Sequence, residues 1–130
     1  MAFEALLAAF QQRGFLVVLN DPRCSDPLLH GFYERLARRI VICPRGNRNE
    51  TLLHEGWHAV QSRCLKGKPM LSDGQLEKGL TRMDRKEMGQ LYDPSKWRRE
   101  AEARVMARVR VDNYFAIVDQ VCQPVAAAQP

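Results

Sequence analysis

The chain has 130 residues, 45% of them hydrophobic and 27% charged, with a net charge of +5. That length supports one domain with one modest core and leaves no room for a second, and the composition is close to average globular usage. No apolar run approaches the roughly 20 residues that a membrane-spanning helix needs.

Taken in chain order, Phe3, Leu6, Leu7 and Phe10 have helical spacing, and Gly14 is placed to end that helix. Phe15 to Leu19 then reads as a short strand stopped by Asn20-Asp21-Pro22. Leu29 to Tyr33 and Arg39 to Cys43 read as two more strands, joined as a hairpin by Glu34 to Arg38. Ile40-Val41-Ile42, β-branched and closed by Pro44, is the clearest of the three. Asn47 and Glu50 have capping-box spacing, and the helix they open ends near Gly67 and Pro69. Ser72 and Gln75 have the same spacing and open a helix over roughly 73–91. Asp93-Pro94 is a helix start, and the last helix runs from there to about Gln120. The alanine-rich end from Pro124 reads as a frayed tail. The expected architecture is therefore α+β: a small antiparallel sheet of about three strands with helices, forming a single domain over 1–123 and a tail over 124–130.

Two further features bear on setting. The four cysteines, Cys24, Cys43, Cys64 and Cys122, are scattered with no CxxC pair, which argues against a zinc finger. The N-terminal stretch carries Glu4 within its apolar part and no basic lead-in, unlike a secretory signal. A cytoplasmic protein with mostly reduced cysteines is expected, the alternative being two disulfides in an extracellular setting. Fifteen of the twenty basic residues are arginine. A basic balance admits a nucleic-acid partner, but a solvated charged surface accounts for it more simply.

The chemistry concentrates in Thr51-Leu52-Leu53-His54-Glu55-Gly56-Trp57-His58-Ala59-Val60-Gln61, which holds two of the three histidines. Four apart on a helix, His54 and His58 share a face with Cβ atoms about 5–6 Å apart, so their imidazoles can converge on one metal ion. Glu55 points beside that ion and is placed as general base for a water bound to it. The alternative is a core helix whose histidines hydrogen-bond to neighbours. A catalytic zinc needs a third protein ligand. His30, on the hairpin, is more simply an ordinary surface or strand histidine. Glu100 and Glu102 in Trp97-Arg98-Arg99-Glu100-Ala101-Glu102-Ala103-Arg104 are two apart, so only one of them can meet the metal. Both can equally be solvated helix charge.

These residues resemble a known family. His54-Glu55-Gly56-Trp57-His58 looks like the zincin motif HExxH, and Glu100-Ala101-Glu102-Ala103 looks like the ExxA segment of the gluzincins, the thermolysin-like clan. The resemblance implies a small zinc metallopeptidase acting on peptide or protein substrates. His54, His58 and Glu100 would be the metal ligands, with Glu102 in reserve because Val105 and not alanine follows it. It also implies an edge strand that binds extended substrate by backbone pairing, here Arg39 to Cys43 or the strand paired with it. The sequence departs from the clan at Arg104, where an Asp or Asn often bonds the back of a metal histidine; arginine accepts no hydrogen bond. Tyr33, Tyr92 and Tyr114 are candidate oxyanion donors by residue type alone, each more simply a packing aromatic. A degenerate zincin-fold module that binds a partner through Arg98, Arg99, Arg104, Arg108 and Arg110 is the alternative function.

Overall fold

The structure, a computed structural model, describes residues 1–91 and 93–123; Tyr92 and the tail from Pro124 lie outside the described residues. The chain divides into two compact units, Met1–Ala59 and Val60–Pro130.

The first unit opens with helix α1 (Phe3–Gln12), whose Phe3, Leu6 and Phe10 are buried, as a stripe of 3- and 4-residue spacing requires. Gly14 takes a positive φ of 84° and turns the chain out of the helix. Phe15 then sets its ring edge-on to Phe10, with centroids 5.8 Å apart, and strand β1 (Leu16–Leu19) follows. Asn20, with φ 64°, ends the strand, and the Asp21 carboxylate accepts from the Arg23 amide to cap the short 3-10 turn Pro22–Ser25. Strands β2 (Gly31–Glu34) and β3 (Arg39–Ile42) form the expected antiparallel hairpin, with Glu34 opposite Arg39.

The sheet differs from the expected all-antiparallel one. Its order is β1-β3-β2, and β1 pairs parallel to β3, Leu16 opposite Arg39 and Leu19 opposite Ile42. The stretch over 20–30 carries the chain past the central position to the far edge, and the hairpin brings β3 back into the middle. The apolar content of Ile40-Val41-Ile42 has its reason here. A strand flanked on both sides and covered on both faces reads as a continuous apolar run, and Ile40, Val41 and Ile42 are all buried. Consequently Arg39 to Cys43 is not an edge, which corrects the first of the two alternatives; the edges are the strands paired with it, β1 and β2.

Helix α2 (Arg48–Val60) follows. The Asn47 side chain accepts from the Glu50 amide at 3.1 Å, and Thr51 lies against Gly31 of β2, where an added Cβ would stand 2.8 Å from the threonine methyl. Beyond Val60 the helical path continues as a π-type turn over Gln61–Leu65, closed by Lys66 in the left-handed region.

In the second unit the Ser72–Gln75 capping box is present with both of its bonds, but the helix it opens, α3, spans only Asp73–Gly79. A second box, Thr81 with Asp84, starts α4 (Arg82–Glu87), so the expected single helix over 73–91 is two. Helix α5 (Pro94–Met106) begins at Asp93, whose side chain accepts from the Ser95 amide. It stops at Ala107, and α6 (Val111–Val121) is separate, so the expected last helix is also two. Gly79 lets α3 approach α5, since a Cβ there would stand 2.6 Å from the Val105 side chain.

The cysteines are paired, contrary to the reduced state expected. Cys24 bonds Cys43 within the first unit and Cys64 bonds Cys122 within the second, with Cα atoms 5.3 and 4.9 Å apart. Sequence separations of 19 and 58 residues gave no local spacing signal for either bond. Among the described residues, no helix is long and apolar enough to cross a membrane.

Candidate metal centre

Helix α2 carries the two histidines because its other faces are committed elsewhere. Leu52, Leu53, Trp57, Ala59 and Val60 are buried. Gly56 is held tightly too: a Cβ there would come within 2.4 Å of the Phe10 ring. The remaining stripe presents His54 and His58 one turn apart, half-buried, with ring centroids 5.1 Å apart and planes at 72°. Neighbouring Glu55 sets a carboxylate oxygen 3.9 Å from His54 Nε2, and the two side chains are 18% and 19% exposed. That carboxylate is beyond hydrogen-bond length yet close enough to act on a group bound at the imidazole nitrogen.

A nitrogen of His54, a nitrogen of His58 and a carboxylate oxygen of Glu100 all lie within 4.8 Å of one another. Two imidazoles and a carboxylate form a donor set suited to a divalent transition metal. A tetrahedral zinc with bonds of roughly 2.0–2.1 Å holds its ligand atoms about 3.4 Å apart, so small side-chain rotations close the group onto an ion. All three residues are half-buried, which limits solvent competition while leaving access.

Glu102, the reserve ligand, has a different occupation. It is 2% exposed. One of its oxygens accepts from the amides of Met70 and Leu71 at 2.9 and 3.0 Å, and the other from Gln61 Nε2 at 3.2 Å. Gln61 also donates to the Arg99 carbonyl at 3.0 Å. Glu102 therefore ties residues 70–71 and Gln61 to α5, while Glu100, two residues earlier on the same helix, is the one grouped with the histidines. His30 is exposed, with its ring against Gly46. Tyr114 is fully buried in α6, and that burial pushes its phenol pKa up; Tyr33 is half-buried on β2.

Arg104 lies beside the candidate ligand, its Nε 3.7 Å from a Glu100 oxygen. Its Nη1 donates to Glu87 at 3.0 Å and approaches Asp84 at 3.4 Å. Asp84, almost wholly buried, also accepts two bonds from Arg108, at 2.5 and 2.7 Å. These bonds hold its carboxyl well below the ordinary carboxylate range, with help from the Thr81 cap. Neither the second capping box nor this cluster was anticipated, although the Thr81–Asp84 spacing was available in the sequence as a signal for the box. The other arginines considered for nucleic acid are partly engaged as well: Arg98 bonds Asp73, and Arg110 bonds Asp112 at 2.9 Å.

No family model, curated protein or solved structure shows significant similarity to this chain. The case that this group could hold a metal therefore stands on its own residues.

Proposed function

We propose that this protein is a zinc-dependent metallopeptidase of the gluzincin type. The grouping of His54, His58 and Glu100 within 4.8 Å carries this reading, together with the Glu55 carboxylate 3.9 Å from His54 Nε2. In such a site His54, His58 and Glu100 would hold the ion. Bound zinc supplies a Lewis acid that polarises the scissile carbonyl and lowers the pKa of water toward neutrality. Glu55 takes the proton of the attacking water and delivers it to the leaving amine, so one carboxylate serves as base and then acid. Glu55 is itself half-buried, and a lower local dielectric strengthens the effect of its charge on the reacting atoms.

Two disulfides support an oxidising compartment over the cytoplasm for this hydrolase. A nucleic-acid-binding module is less well supported, because Arg98, Arg104, Arg108 and Arg110 are ion-paired to acidic neighbours.

The test is zinc content followed by peptide hydrolysis. Purified protein should hold about one zinc per chain, and Glu55→Gln should retain it while hydrolysis falls by roughly 10²–10⁴-fold. Hydrolysis that persists in this variant, or wild-type protein that takes up no zinc, rejects the reading.

A further inference from the structure

We infer that Arg104 is a positioning residue for the third metal ligand: held by an acidic pair on α4, it fixes the Glu100 carboxylate for the ion. The inference rests on the metal-site reading above and assigns a role to the residue at which the sequence departs from the clan.

Three observations carry it. First, Arg104 reaches Glu100 one helical turn away, with Nε 3.7 Å from one carboxylate oxygen and the side chain 21% exposed. The approach is an ion pair longer than a hydrogen bond, and its attraction for the carboxylate biases the orientation in which Glu100 meets the metal. Second, Arg104 is itself fixed from the far side. Glu87 accepts from it at 3.0 Å, and buried Asp84 lies 3.4 Å away. Asp84 is in turn held by Arg108 and by the Thr81 amide at 2.8 Å. A planar guanidinium anchored through Nη1 by two carboxylates is a stiffer support than a free lysine or glutamine would be. Third, the cluster is electrically balanced, with Arg104 and Arg108 facing Asp84 and Glu87.

The third point decides the sign. A lone cation beside a metal ligand opposes a dication. Here the two carboxylates on α4 offset the two guanidinium charges, so the orienting effect outweighs repulsion. Arg104 thus strengthens metal binding, acting through Glu100 in the way outer partners of metal ligands do.

The experiment measures zinc affinity by chelator competition on the full, disulfide-intact chain, with far-UV circular dichroism of each metal-free variant as the check on folding. Arg104→Gln should weaken zinc binding about 10–100-fold, and Arg104→Lys, which keeps the charge and loses the fork, should recover part of that loss. In a Glu100→Gln background the same Arg104→Gln change should have no further effect, because its route runs through the Glu100 carboxylate. Unchanged or tighter zinc binding in Arg104→Gln overturns the inference, as does an equal loss in the Glu100→Gln background. Either result leaves the metal-site reading intact provided wild-type protein binds zinc and Glu100→Gln weakens it. If Glu100→Gln has no effect on zinc, both fail.

Discussion

Glu102→Ala probes whether this carboxylate is a structural clamp distinct from the candidate metal ligand two residues earlier. The side chain is 2% exposed and accepts from the amides of Met70 and Leu71 and from Gln61 Nε2. Alanine leaves the two backbone donors without that acceptor, while Gln61 keeps its bond to the Arg99 carbonyl. An orphaned buried donor costs about 1–3 kcal/mol; the Leu71 amide is buried and the Met70 amide half-buried, so the two plus the emptied volume predict a loss of about 2–5 kcal/mol. Against a total of roughly 5–15 kcal/mol for a domain, the variant is marginal or unfolded at ambient temperature. Glu102→Gln is milder. Its carbonyl can serve Met70 and Leu71, but its amide then faces the Gln61 amide, donor against donor, and the net loss of one bond costs about 1–3 kcal/mol. Urea unfolding of the metal-free protein measures both. A Glu102→Ala loss below about 1 kcal/mol would refute the clamp, and so would a Glu102→Gln variant that unfolds as easily as the alanine one.

Other perturbations read other parts of the molecule. Arg108 holds the Asp84 carboxyl well below its ordinary range, so the unfolded chain binds a proton there more readily and stability rises with pH. That contribution is complete above the unfolded carboxylate pKa of about 4 and is lost as pH falls below it; Asp84→Asn should flatten the decline in melting temperature between about pH 5 and pH 3. Reduction should cost stability in proportion to loop length, about 3 kcal/mol for the 19-residue loop and about 4 for the 58-residue loop on the chain-entropy model, read as the shift in unfolding midpoint with and without reductant. Gly56→Ala drives a methyl into the Phe10 ring and should destabilise by about 1–3 kcal/mol, measured by thermal unfolding.

The parts of this molecule that were legible in its sequence are those that depend on near neighbours. The histidine pair follows from 3.6-residue periodicity, and the β2–β3 hairpin from two apolar runs around a short turn. The caps at Asn47 and Ser72 announce themselves in three-residue spacings, and that at Asp93 in the proline that follows it. The break between α3 and α4 is equally local, since Thr81 and Asp84 repeat the box, but the helical pattern over 73–91 masks it. The stop after Met106 had no comparable mark: neither glycine nor proline occurs between Ala107 and Val111, and Arg110 at the N-cap makes no side-chain cap bond. The remaining features are set by distant partners. Glu100 and Glu102 differ by two positions on one helix, and only the amides of Met70 and Leu71 reveal which is buried for structure. The cysteine pairs and the parallel partner of β1 likewise depend on where the chain returns.

The strand order has a kinetic corollary. Glu34 meets Arg39 across a short turn, so the hairpin closes with little loss of chain entropy. Leu16 has to find Arg39 across the whole intervening connection, a search that slows assembly. The topology thus predicts that the hairpin forms first and templates the docking of β1 on its open flank.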